Sequence, residues 1–254
     1  MRRADAASEL NAEQASAADA GLKGMISVGR PFLDYVLSAL ADAGVSDVVL
    51  VIGPEHAIVR EYFEHTSPPS RVRIQFAVQA EAIGTADAVV TAAKVVGDNP
   101  FIVLNSDNYY PVDAFRLLAN LNDAGVVAFD RETLVRDGNI DVERVRSFAI
   151  LDIAPDGRLV GIVEKPGATL DLTAPWAQWV GMNCWHVTPT LVDACRRVPL
   201  SARGEYELPE AVALAIREGV VVRAEKLRAG VLDLSQRSDI AAVAARLAHI
   251  QARP

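Results

Sequence analysis

Two cysteines, Cys184 and Cys195, stand in a chain of 254 residues. They have neither the spacing of a metal site nor partners for a disulfide framework, so a reducing compartment fits them. The four histidines, His56, His65, His186 and His249, show no ligand spacing either, and surface or packing roles account for them. No apolar run reaches 18 residues and nothing at the start reads as a signal peptide, which removes a membrane span and an export route from the expectations. Positive charge is in deficit: 25 Lys and Arg against 33 Asp and Glu give a net charge of −8. A nucleic-acid surface is normally basic, so nucleic acid is an unfavoured partner, whereas a small anionic substrate needs only a few local cations. No Gly-x-Gly-x-x-Gly follows any predicted strand, which removes a nicotinamide dehydrogenase. The chain shows no internal repeat and no linker long enough to separate independent domains. A cytoplasmic protein with a single mixed α/β body is the reading that remains.

What is present has a clear order. Residues 1–22 are rich in Ala, Asp, Glu and Ser and read as a solvated arm or an insertion. From Pro31 the pattern changes. Phe32, Tyr35, Val36, Leu40 and Ala43 fall at helical spacing, with Gly44 as the stop. The run 47–53 is rich in β-branched residues, as in a strand buried on both faces. A helix over 57–63, an alternating strand over 71–78, a helix over 84–96 and a strand over 101–105 follow. Strand and helix alternating at this pitch predict a parallel sheet with right-handed crossovers. The second half predicts a hairpin (146–153 and 158–166, turning through 154–157) and a strand over 178–187. Helices at 188–197 and 207–218, a strand over 220–227, a short segment at 230–234 and a closing helix over 237–250 complete it.

Five places carry potential chemistry. The strand "FIVLN" ends on Asp107, flanked by Ser106 and Asn108; in open parallel sheets ligands sit beyond the carboxyl ends of the strands, and a carboxylate there can hold Mg²⁺ against phosphate. Gln79 ends a strand five residues before Gly84 and Thr85, and a glutamine amide can pair with a base edge. Glu164 and Lys165 adjoin at a strand end stopped by Pro166; the acid can accept from hydroxyl groups and the ammonium can hold a phosphate. Asp233 sits in a short apolar segment before a helix, and Lys23 precedes another. Each has a plainer explanation: capping for the two aspartates, an ordinary strand–loop–helix for 79–85, a solvated turn for 164–166. Glu205 and Glu207 read as a solvated helix start, and Trp176, Trp179 and Trp185 as packing.

The order of these features is more specific than any one of them. Lysine, Gln-x4-Gly-Thr-Ala, strand-Asp-Asn, Glu-Lys-Pro and a late Leu-Asp before a helix together resemble the sugar-1-phosphate nucleotidyltransferase family over about residues 23–245. "FAILDIAPDGRLVGIVEKP" is similar to that family's hairpin almost position by position.

The resemblance implies a Rossmann-like, mostly parallel sheet flanked by helices, with a small antiparallel sugar-binding lobe. Residues 23–130 would form the nucleotide half and 131–254 the sugar half. It implies that Asp107 and Asp233 bind Mg²⁺, with Asn108 orienting the Asp107 carboxylate or its ligand. Gln79, Gly84 and Thr85 would contact a uracil or thymine nucleotide. Glu164, Lys165, Gly181 and Asn183 would hold the sugar phosphate, and Lys23 would neutralise nucleotide phosphate. The implied reaction joins UTP or dTTP to a sugar 1-phosphate, giving NDP-sugar and pyrophosphate; homo-oligomerisation stays open.

The sequence also departs from the family pattern. No strand and Gly-rich loop of the form Gly-x-Gly-Thr-Arg-Met precedes Lys23. That strand is central in the family sheet, so a groove is expected between the strands near residues 50 and 103. Two explanations compete: a start further upstream, or a relative that has lost turnover and binds sugar nucleotide as a regulatory module. Smaller departures are Gly24 in place of proline after Lys23, Ser106 in place of glycine before Asp107, and Phe148–Ala149 in place of Tyr-Gly.

Overall fold

Pro31 precedes the helix α1 (Phe32–Asp42), and Gly44 at φ +92° lies just beyond its end. The computed structural model describes residues 22–167, 171 and 174–254, so the acidic arm read at 1–22 lies outside them but for Leu22. The β-branched run forms β1 (Asp47–Ile52), and after α2 (Ala57–Glu61) the chain returns as β2 (Arg73–Val78), parallel to β1 and in register along its whole length. The helix α3 (Thr85–Val96) leads to β3 (Phe101–Leu104), and a two-residue strand β4 (Asn108–Tyr109) follows at once. Then come α4 (Val112–Ala119), β5 (Ala124–Asp130) and α5 (Arg131–Asp137).

The hairpin is β6 (Ala149–Ile153) and β7 (Leu159–Val163). The long strand β8 (Trp179–Val187) precedes α6 (Pro189–Arg197) and α7 (Leu208–Arg217). The chain closes with β9 (Val222–Leu227), β10 (Leu232–Asp233) and α8 (Asp239–Leu247). The expected closing helix is therefore shorter at both ends, and the 57–63 helix runs on into a π-turn over Tyr62–Thr66.

The larger sheet has the order β7-β6-β8-β5-β9, with β3 also paired to β8. Strands β3, β5, β6 and β9 run one way while β7 and β8 oppose them. Strand β5 has every residue buried, and its side chains alternate between two apolar layers. Val127 and Phe129 face a layer holding Phe32 and Leu37 of α1, Phe115 and Leu118 of α4, and Val243 of α8. Val126 and Ala128 face a layer holding Val89 of α3, Leu191 of α6 and Val212 of α7. A sheet covered by helices on both faces is the α/β arrangement that the alternation of elements predicted.

The groove expected from the sequence is there. Among the described residues β1 pairs with β2 alone and β3 with β8 alone, so each keeps an open edge. Between these edges lies a cleft of about 960 Å³. Its walls are Val48–Val51 and Phe101–Leu104, its floor and roof the apolar faces of α1 (Leu33, Leu37, Leu40) and α3 (Ala88, Val89, Ala92).

Candidate active site at the strand ends

Asp107 and Asp233, 126 positions apart in the chain, meet where β4 pairs with β10. Asp233 lies opposite Asn108, and the Leu234 amide donates to the Asp107 carbonyl at 2.8 Å. Asn139 clamps the Asp233 backbone, its Oδ1 accepting from the Asp233 amide at 2.7 Å and its Nδ2 donating to the carbonyl at 2.8 Å. The Asp233 carboxylate is buried. Burial pushes its pKa up; Ser235 and Arg144 oppose that, and the nearby charges of Asp107 and Asp239 add to it. Its Oδ1 accepts from Ser235 Oγ (2.6 Å) and Asn108 Nδ2 (3.2 Å), and its Oδ2 pairs with Arg144, which also grips Asp239. Asn108 thus bonds Asp233, where the sequence reading expected it at the Asp107 carboxylate or that carboxylate's ligand; its amide sits on the strand pair that carries Asp233. Capping explains neither aspartate.

Lys23 Nζ lies 2.6 Å from Asp107 Oδ2, which brings a third expected residue to the same spot. The approach is close: a Cβ on Gly24 would stand 3.3 Å from the Ser106 carbonyl oxygen. Asp107 Oδ1 accepts no hydrogen bond among the described residues. The donor set of this corner is therefore carboxylate oxygen, with no group of three or more His, Cys, Asp or Glu among the described residues. One or two carboxylates, with the rest of the shell left to water and substrate phosphate, is how Mg²⁺ is commonly bound, so the residues fit that ion.

The second cluster lies where β2 hands over to α3. Gln79 Nε2 donates to the Gly84 carbonyl at 3.0 Å and to Asp87 Oδ2 at 2.9 Å. Gly84 sits at φ +130°, and a Cβ there would fall 2.2 Å from the Tyr206 carbonyl oxygen. The close approach that requires glycine is thus to the backbone of Tyr206. Tyr206 is held in turn: its amide donates to Ile83 O and its carbonyl accepts from Ala86 N, each at 2.8 Å. The Thr85 hydroxyl accepts from the Leu208 amide at 2.9 Å, so that side chain joins the loop to the start of α7.

The third cluster is at the end of β7. Glu164 is half-buried; desolvation raises its pKa, with Lys165 and Arg203 opposing and Glu207 and Glu210 adding to the rise. Lys165 (φ +43°) and Asn183 (φ +56°) are the non-glycine residues held in the left-handed region among the described residues. Such strain is uncommon and clusters at functional positions. Gly181 is buried rather than open; a Cβ there would meet Leu151 at 3.1 Å and Ala149 at 3.4 Å, so packing within the sheet already accounts for it.

Glu207 is not the solvated residue expected. It is buried, accepting from Arg203 (2.6 and 2.8 Å) and from Ser201 Oγ (2.7 Å), and the Arg203 bond first of all lowers its pKa. The segment 203–208 thereby bonds to the 83–86 loop, and its Arg203 and Glu207 charges act on Glu164. Trp185 is core as expected, whereas Trp176 is half exposed on a surface turn. His186 is a packing residue, its ring bonded to the Asp123 carbonyl at 2.7 Å.

Sequence reasoning missed Arg144, Asp87, Asn139 and the Arg203–Glu207 pair. Only Asp87, an acid in the first turn of a helix beside Gln79, carried a signal, and it resembles an ordinary helix-start acid.

The family model described as Nucleotidyl transferase matches residues 22–245. The UTP–glucose-1-phosphate uridylyltransferase AglF of Haloferax volcanii is 29% identical over 224 residues, 85% of this chain and 84% of that protein. A glucose-1-phosphate thymidylyltransferase of Streptomyces antibioticus is 27% identical over 194 residues; that match covers 76% of this chain and about half, 51%, of the relative. Among solved structures, a UDP-glucose pyrophosphorylase complexed with UDP-glucose superposes with a TM-score of 0.73 at 14% identity, covering 90% of this chain and 91% of that one. The UTP-bound UGPase from Acinetobacter baumannii gives 0.72 at 19% identity, covering 91% and 87%. These structural likenesses concern the fold. The family match, which spans most of the chain, shows that the chain belongs to the nucleotidyl transferase family.

Proposed function

We propose that this protein transfers a nucleotidyl group from UTP or dTTP to a sugar 1-phosphate, releasing pyrophosphate. The observation that carries the reading is the corner where Lys23, Asp107 and Asp233 meet at the strand ends. A phosphate oxygen of the sugar phosphate attacks the α-phosphorus; that P–O bond forms as the bond to the β-phosphate bridging oxygen breaks. The reaction brings two anions to within about 3–3.5 Å, so positioning and charge neutralisation are the tasks of the protein. Asp107 and Asp233 are the residues that would hold Mg²⁺, which when bound would supply positive charge against the triphosphate. Lys23 neutralises phosphate charge beside them. Gln79 and the 84–85 loop receive the base, Lys165 the sugar phosphate, and Glu164 accepts from sugar hydroxyls.

The test is pyrophosphate release with UTP or dTTP, Mg²⁺ and a panel of sugar 1-phosphates. Release with at least one sugar, abolished by Asp107→Ala in a protein that keeps its circular-dichroism spectrum, is the expected result. No release across the panel rejects the proposal.

A further inference from the structure

We infer that Asp87 is a specificity-determining residue: it fixes the Gln79 amide so that its carbonyl oxygen, not its NH₂, faces the base, and thereby selects uracil or thymine over cytosine. The inference rests on the proposed reading of Gln79 as the base contact.

Both donors of Gln79 Nε2 are committed, one to the Gly84 carbonyl at 3.0 Å and one to Asp87 Oδ2 at 2.9 Å. An amide NH₂ has two donors and no more, so Oε1 is the only hydrogen-bonding group of this side chain left for a ligand. Rotating the amide by half a turn would set Oε1 against a carbonyl oxygen and a carboxylate at once. Both contacts would be acceptor against acceptor in a half-buried site, where an unmade bond to a charged group is most unfavourable. Gly84 cannot relax away, because its carbonyl belongs to a loop pinned to Tyr206 and Leu208.

A fixed acceptor distinguishes the pyrimidines at one atom. Uracil and thymine carry N–H at N3 and can donate to Oε1; cytosine carries a lone pair at N3 and meets Oε1 with repulsion. Without Asp87 one of the two acceptors that define the orientation is gone, the amide can turn, and its NH₂ can serve cytosine N3.

Calorimetric binding of UTP and of CTP, each with Mg²⁺, to the full chain tests this in wild type, Asp87→Ala and Asp87→Asn. Wild type is expected to prefer UTP by at least about tenfold, the worth of one hydrogen bond made or opposed. Asp87→Ala should narrow the preference to within about threefold, with CTP binding gained as UTP binding is lost. Asp87→Asn, whose amide carbonyl still accepts from Gln79, should retain the preference. A merely structural acid at the start of α3 would lower the melting temperature in Asp87→Ala and leave the UTP-to-CTP ratio unmoved; that result overturns the role of Asp87 alone. Wild type that binds neither nucleotide, or both alike, overturns the base contact in the proposed function, and this inference with it.

Discussion

Gly24 and Ser106 show how a residue-level departure from a family pattern is accommodated. Where Ser106 replaces glycine before Asp107, the residue packed against it is itself a glycine, and a Cβ on Gly24 would stand 3.5 Å from the Ser106 Cβ. The small residue has changed sides of one contact, and Lys23 still reaches Asp107. Gly84 has no such freedom. Its φ of +130° and the Tyr206 backbone 2.2 Å from a would-be Cβ exclude any side chain. Gly84→Ala should therefore destabilise the protein by about 3 kcal/mol or more in urea unfolding and weaken nucleotide binding at the same time. A neutral substitution would mean that the 84–206 contact does not exist in solution. These residues were legible as candidates because Asp107, Asp233, Gln79 and Lys165 sit at ends of patterned runs. Arg144 was not, because its partners, Asp233 and Asp239, lie 89 and 95 positions away and no local spacing links them.

At the scale of elements, the strands with β-branched runs announced themselves and the central one did not. Strand β5 reads "AGVVAFD", with two alanines and a glycine in seven residues, and the sequence reading assigned it nothing. It needs little intrinsic preference because it is buried by helices on both faces and hydrogen-bonded to β8 and β9; tertiary packing overrides a weak local signal. The 203–208 segment was misread for the opposite reason: a charged stretch looks solvated, but Arg203 caps the buried Glu207 charge. Glu207 has a folded-state pKa below the ordinary carboxylate range, so its contribution to stability is present above the unfolded-state value and is lost as pH falls through the folded-state value. Since the Arg203 partner is half exposed, solvent screening limits that contribution. Glu207→Gln should lose about 1 kcal/mol at pH 7, and its stability should converge with wild type as pH drops below about 4. A deficit that persists unchanged at pH 2.5 would assign the loss to packing instead.

At the scale of the molecule, two bodies of sheet face each other across the cleft. Among the described residues each wall is a strand edge with one hydrogen-bonded neighbour, and helices α1 and α3 present apolar side chains above and below. The groove between the strands near residues 50 and 103 was legible because the family resemblance predicts a central strand at that place. Lys23 and Asp107 lie at the rim of this cleft, so the proposed metal corner borders the region where the two bodies of sheet are not joined. The antiparallel strand β8 closes the other side of β3 and carries Asn183 toward the same cleft, linking the sheet to the hairpin that bears Glu164 and Lys165.

Manganese(II) in place of magnesium makes the central arrangement directly measurable. Titrating wild type with Mn²⁺ and UTP, followed by electron paramagnetic resonance, should show one protein-bound Mn²⁺–UTP complex per chain. Asp107→Asn and Asp233→Asn should each weaken it by at least about tenfold while remaining folded by circular dichroism. Two folded variants that hold Mn²⁺–UTP as tightly as wild type would contradict the account.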